Sequence, residues 1–273
     1  MSDLLYVYAV VPRTAHLGGA PPGVDGASLT LVGEGDVAAL ASHVDASYAE
    51  GLDDRLANVA WLGPRATAHD AVLTWASDRG PVVPLPLLSL FRSDEAVRRT
   101  LRERSVDLAA VLEYVAQGRE YGVRVFRVDA ELRDALAGFS PAIAQVESEV
   151  AAATSPGQAY LLGRKLDAAR KDELQRVSRD IAALAFDRLA ARSVAAVEES
   201  LPTPSGEHAG VAILNASFLV AHETLDDFRA VVTQLVRDYG ERGVRIEFTG
   251  PWPPYHFTRS GASGAFRHAQ VTS

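Results

Sequence analysis

Residues 4–11, LLYVYAVV, are apolar at both alternating positions and read as a central strand covered on each face. The turn-forming run 18–23 (GGAPPG) is a loop. Residues 29–32 and 37–44 form two strands around Gly33-Glu34-Gly35-Asp36, a turn whose glycines can take positive φ. From 53 to 78 the pattern becomes helical, with Pro64 at the start of a second helix, where its missing N–H costs nothing. Ala68, Val72, Trp75 and Ala76 then share one face. Residues 81–90 are apolar, but Pro84 and Pro86 forbid a regular central strand and suggest an edge or bulged one. Ser93 suits the N-cap of a helix running to 117, with Asp94 and Glu95 at the favourable end of the dipole and Gly118 at the stop.

A second unit starts near 119, with a strand over 121–128 and helical patterning over 130–153. Pro156-Gly157 breaks that pattern. Residues 158–198 then read as one long amphipathic helix or two, with Leu174, Val177, Ile181, Leu184 and Ala185 at three- and four-residue steps. A polar turn at 202–207, a strand at 211–221, a helix at 225–239 and a strand at 244–249 complete the chain's regular part. The order predicts an α+β protein of two domains. These are an N-terminal α+β domain over 1–118 and a ferredoxin-like domain over 119–258 whose first crossover is enlarged by long helices, followed by a flexible tail at 259–273. The ferredoxin-like order requires one more strand, placed at 194–201.

Composition narrows the class. The chain has 273 residues, 48% hydrophobic and 23% charged, enough to bury a real core and far from a disordered composition. Its net charge of −8 argues against a nucleic-acid partner and leaves no polybasic membrane patch. The absence of cysteine removes disulfides, thiolate nucleophiles and zinc–cysteine sites. With no basic leader at Met1-Ser2-Asp3-Leu4 and no apolar run near the roughly 18 residues of a bilayer span, a cytoplasmic protein is expected.

Motifs for catalysis or cofactors are incomplete. Gly33-Glu34-Gly35-Asp36-Val37-Ala38 matches GxGxxA, with Asp53 and Asp54 near the place of a ribose-binding acid. A strand follows it rather than the helix that would meet pyrophosphate, so a hairpin turn is the better reading. The seven histidines are scattered, and His222-Glu223 cannot complete HExxH because Asp226 stands at the final position. His69-Asp70 could act as an acid/base pair only with a partner supplied by the fold; otherwise His69 is a satisfied or solvent-facing helix histidine. Gly163-Arg164-Lys165 lacks the remainder of a phosphate loop and reads as a glycine in helix packing beside two solvated cations, or as a surface for an acidic partner. Ser260-Gly261-Ala262-Ser263-Gly264 is too flexible for the elbow of a serine hydrolase. No cofactor or metal site is expected.

Residues 250–257, GPWPPYHF, follow the last strand. Their three prolines hold Trp252, Tyr255 and Phe257 in fixed directions along an extended path, as a closing strap of the second domain rather than a PxxP ligand. This octapeptide resembles the closing motif of the gas vesicle protein F/L family (GvpF/GvpL). Similar blocks run in family order upstream: YVYAVV at 6–11, GDVAAL at 35–40, WLGPRATAH at 61–69, PVVPLP at 81–86, EYGVRV at 120–125, YLLGRKL at 160–166 and NASFLV at 215–220. Two departures stand out. Pro86-Leu87-Leu88 occupies a segment where the family commonly carries a basic residue and a glycine, and Tyr121 stands where tryptophan is frequent.

The resemblance implies a non-enzymatic accessory or minor structural protein of the gas vesicle. Its implied partners are the hydrophobic shell protein and other accessory proteins, during nucleation and assembly. Candidate interaction residues in family-like motifs are Arg65, His69, Arg164, Lys165, Trp252 and Tyr255. The alternative is a ferredoxin-like enzyme or small-molecule binder with a pocket near His69 that gathers Arg65 and Asp70.

Overall fold

The structure, a computed structural model, describes residues 4–202 and 210–258. The expected tail at 259–273, the glycine-serine run within it, most of the 202–207 turn, and the side chains of Asp53 and Asp54 lie outside the described residues. The chain divides into two units, one formed by residues up to Glu120 together with those from Pro251 onward, the other by Tyr121–Gly250. The strap therefore groups with the first unit and not, as expected, with residues 119–250.

In the first unit, β1 (Leu4–Pro12) lies inside a sheet, paired antiparallel with β3 (Val37–Val44), which in turn pairs with β2 (Leu29–Glu34). Its other side meets two short strands, β4 (Val83–Pro84) and β5 (Leu90–Phe91). The all-apolar pattern of β1 is explained by cover on both faces. Tyr6 and Tyr8 join one core cluster with Val72 and Leu73, while Leu5, Val7 and Val10 join another with Val97, Leu101 and Leu108. The β1–β3 register slips between Val7 and Ala9. Before this bulge Leu4, Tyr6 and Tyr8 share one face; beyond it Ala9 and Val11 join that same cluster and Val10 the opposite one, a switch that regular alternation alone would not make.

The helices of this unit are α1 (Leu52–Ala57), α2 (Val59–Ser77), α3 (Asp94–Glu103) and α4 (Ser105–Val115). The Asn58 side chain caps α2 by accepting from the Trp61 N–H. Pro64 thus stands inside α2, not at its start, and the helix absorbs one missing hydrogen bond. Ser93 caps α3 as its sequence predicts, but the single helix expected to 117 is split at Arg104, which has φ −122. Between β4 and β5 the backbone turns through Leu88 at φ 64, a left-handed conformation that glycine adopts freely and a leucine rarely does.

The second unit carries a four-stranded sheet in the order β7-β8-β6-β9, with β6 Arg119–Arg127, β7 Ala195–Glu198, β8 Val211–Val220 and β9 Val244–Trp252. Between β6 and β7 come α5 (Asp129–Asp134), α6 (Pro141–Ala151) and α7 (Pro156–Ala190); α8 (Leu225–Tyr239) precedes β9. Tyr121, Val123 and Val125 alternate into a core shared with Leu174, Val177, Ile181 and Ala185, the stripe read from the sequence. Pro156 does not merely break a helix. It occupies the first turn of α7, behind the Ser155 cap. That helix ends at Ala190, well short of 198, because the residues beyond Val194 pair with β8 instead. β9 continues past Thr249 through Pro251. As the edge strand of its sheet it can hold a proline, whose missing donor has no ladder partner to lose on the open side.

Candidate functional site

In the first unit α2 projects Trp61, Arg65 and His69 at four-residue spacing, and below them lie the tyrosines of β1. His69 is 6% exposed, and its Nδ1 is 2.9 Å from the Tyr6 hydroxyl. The same hydroxyl accepts the Leu88 N–H at 3.1 Å, so one tyrosine oxygen ties the helix histidine to the backbone between β4 and β5. Burial pushes the His69 pKa down to about 4, opposed by a hydrogen bond to the Leu85 backbone and by the Asp70 charge. The imidazole is neutral at ordinary pH and built into the core. Tyr6 and Tyr8 are pushed upward by burial and also stay neutral.

Tyr8 shares its hydroxyl with Ser42 Oγ at 2.6 Å and accepts the Val24 N–H at 2.8 Å. Gly23 is required beside this pair. A Cβ there would stand 2.3 Å from the Tyr8 hydroxyl oxygen and 2.5 Å from Ser42 Oγ. The next residues along supply a second polar knot. Arg65 donates from Nε to the Tyr48 hydroxyl at 3.1 Å, from Nη1 to the Trp61 carbonyl at 2.8 Å and from Nη2 to Asp25 at 2.6 Å, while its guanidinium lies 4.1 Å from the Trp61 ring centre. The Tyr48 hydroxyl also donates to Asp25. Burial raises the Tyr48 pKa to about 12, reinforced by the Asp25 bond and opposed by Arg65. Arg65 is committed to this knot on every face and has little left to offer a partner.

The strap meets the same helix at Asp70, one residue past His69. The Tyr255 hydroxyl donates to Asp70 at 3.2 Å, and His256 closes on Glu120 through both its ring and its backbone N–H. Trp252 is 44% exposed and, with Pro254, Asp78 and Arg119, lines a cavity of about 290 Å³. Of the sequence-derived candidates, the first unit thus contains Arg65, His69, Trp252 and Tyr255. His69 and Arg65 serve the interior, Tyr255 ties the strap, and Trp252 presents substantial surface.

Arg164 and Lys165 belong to the second unit, exposed on α7 and paired with no described residue. Tyr160 and Leu161, 67% and 70% exposed, lie one turn before them, so the four residues make one amphipathic face. Gly163 is not a packing contact, since a Cβ there would meet nothing within 4 Å. None of the three cavities described, at Trp252, in the second unit beside Arg127, and against Trp75, is lined by His69 or Asp70. His69 itself packs into a histidine–tyrosine cluster with Tyr6 and Tyr8. Among the described residues no group of three or more metal-ligating side chains is gathered, and no helix is long and apolar enough to cross a membrane.

Sequence reading missed Glu120, Asp25 and Tyr48. Glu120 carried one local signal, a carboxylate directly before the alternating apolar Tyr121, Val123 and Val125; the other two lie in loops whose shared partner, Arg65, comes from α2.

The family model described as gas vesicle synthesis protein GvpL/GvpF matches residues 4–259. The chain belongs to the GvpL/GvpF family. Among its relatives, gas vesicle protein L of Streptomyces sp. (strain CB03234) is 32% identical over 269 residues, covering 93% of this chain and 92% of the relative. Gas vesicle protein F2 of Halobacterium salinarum is 26% identical over 93% of this chain and 91% of its own length. The crystal structures of GvpF from Anabaena sp. PCC7120 and Microcystis aeruginosa superimpose with TM-scores of 0.67 and 0.66 at 20% and 19% identity. They cover 96% and 95% of this chain and 98% and 100% of their own, so the GvpL/GvpF fold extends over both units. A gas vesicle accessory role follows from this membership.

Proposed function

We propose that this GvpL/GvpF protein binds the hydrophobic shell protein of the gas vesicle in the cytoplasm and assists nucleation and assembly by keeping it from aggregating. The observation that carries the reading is the family match over residues 4–259. A shell subunit with apolar surface and open strand edges aggregates unless covered, and an acidic binder covers it while keeping the pair dispersed. Two features support such a role. β7 is an edge strand with Val197 37% exposed, suited to adding a partner strand, and α7 offers the Tyr160, Leu161, Arg164 and Lys165 face. Trp252 and Tyr255 are the corresponding candidates on the strap.

We also read the second unit as ferredoxin-like. Its strands in chain order, β6, β7, β8 and β9, adopt the spatial order second-third-first-fourth, with α5 to α7 filling the first crossover and α8 the second. Coexpression of the shell protein with and without this chain tests the function. More soluble shell protein, captured together with this chain, is expected; unchanged solubility and no capture would remove the binding model.

A further inference from the structure

A cavity of about 390 Å³ in the first unit lies between the end of α2 and the loop after β1. It has the size of a small-ligand pocket. Leu31, Leu40 and Ala76 are among its apolar walls, and no Asp or Glu lines it. At its rim Arg79 donates to the Trp75 carbonyl at 3.1 Å and stacks 4.7 Å from the Trp75 ring centre. A Cβ on Gly19 would stand 3.8 Å from Arg79 Nη2, so the loop and the guanidinium abut. Arg79 makes no ion pair with a described residue, although the chain carries a net charge of −8. The Trp75 indole N–H, in the same wall, is closed to solvent without an acceptor. Unmatched buried donors are rare in native interiors and call for an explanation.

An apolar chamber with a stacked, uncompensated guanidinium at its rim matches one ligand chemistry. We propose that this cavity binds a small aliphatic or aromatic monocarboxylate, its apolar body against Leu31, Leu40 and Ala76 and its carboxylate against Arg79. The guanidinium suits this task because its planar donors meet carboxylate oxygens in pairs, while stacking on Trp75 holds it in place before binding. None of these residues is itself among those assigned to shell-protein binding, although Arg79 also lines the cavity at Trp252, so the two readings are tested by separate measurements.

The chain has three tryptophans, and their indole N–H resonances are separable by 1H–15N spectroscopy of the full-length protein, with Trp75 assigned through Trp75→Phe. Titration with octanoate is expected to move the Trp75 resonance saturably, with 1-octanol binding about tenfold more weakly because it lacks the charge-assisted hydrogen bond. Arg79→Gln should abolish that preference, Arg79→Lys should retain part of it, and Ala15→Phe, which fills the chamber, should block both probes. The proposal is overturned by an unmoved Trp75 resonance, by equal affinity for octanoate and octanol, or by a preference that survives in Arg79→Gln.

Discussion

His256 Nδ1 lies 2.6 Å from Glu120 Oε1 and the His256 backbone N–H donates to Oε2 at 3.0 Å, closing a carboxylate that is only 2% exposed. These partners are 136 positions apart, at the opening of β6 and in the strap. His256→Ala leaves the buried carboxylate without its ring donor and is expected to cost about 1.5–3 kcal/mol. Chemical denaturation measures it. A double-mutant cycle with Glu120→Gln should show a coupling above about 0.5 kcal/mol, whereas additive losses would mean that the contact contributes nothing of its own.

Acid stability should carry the signature of His69. Its ring takes up a proton near 6.5 in the unfolded chain but only near 4 in the folded one, so between these values the unfolded state binds more protons and stability falls as pH falls. The contribution is complete above pH 6.5 and is lost on acidification to pH 4, about 3 kcal/mol at about 1.4 kcal/mol per pH unit. His69→Gln offers the Tyr6 hydroxyl a neutral hydrogen-bond partner. Its unfolding free energy should decline less steeply across that window, read from denaturant titrations at stepped pH.

Arg65 cannot be exchanged for lysine without loss. The planar guanidinium reaches Asp25, Tyr48 and the Trp61 carbonyl while lying over the Trp61 ring, and an ammonium cannot make this set together. Arg65→Lys is expected to lower stability by about 1–2 kcal/mol. Much of that loss should remain at high salt, since the Arg65 side chain is only 17% exposed.

Gly163 offers a gain. It sits within α7 at a position where an added methyl meets nothing, so Gly163→Ala should stabilise the protein by about 0.5–1 kcal/mol through lower chain entropy in the unfolded state. A rise in the thermal midpoint checks it, and a fall would point to a close neighbour at that face.

Arg164→Glu with Lys165→Glu tests the α7 face as an interaction surface. Both side chains are exposed and paired with no described residue, so the thermal midpoint should stay where it is. Capture of coexpressed shell protein should drop about tenfold or more as favourable contacts become repulsive. Unchanged capture would move the interface elsewhere.

By itself the sequence determined the local pattern. A strand apolar on both faces had to be central, as β1 is. Ser93 had to cap a helix, and the stripe from Leu174 to Ala185 had to meet a core. The ordered family blocks likewise carried family membership, because motifs are strings. Where propensity was weak, long-range pairing decided. Residues 195–198, which the pattern left open between the end of the long helix and the strand placed at 194–201, became a strand by pairing with β8, and α2 continued through Pro64 because its Asn58 cap and buried face outweigh one lost hydrogen bond. The candidate site was legible only as residue types. That His69 is a neutral core group, that Arg65 is fully engaged, and that the strap closes on Glu120 and Asp70 in the first unit all depend on partners tens of positions away. Sequence spacing does not encode those contacts, and only packing brings the groups within hydrogen-bond reach.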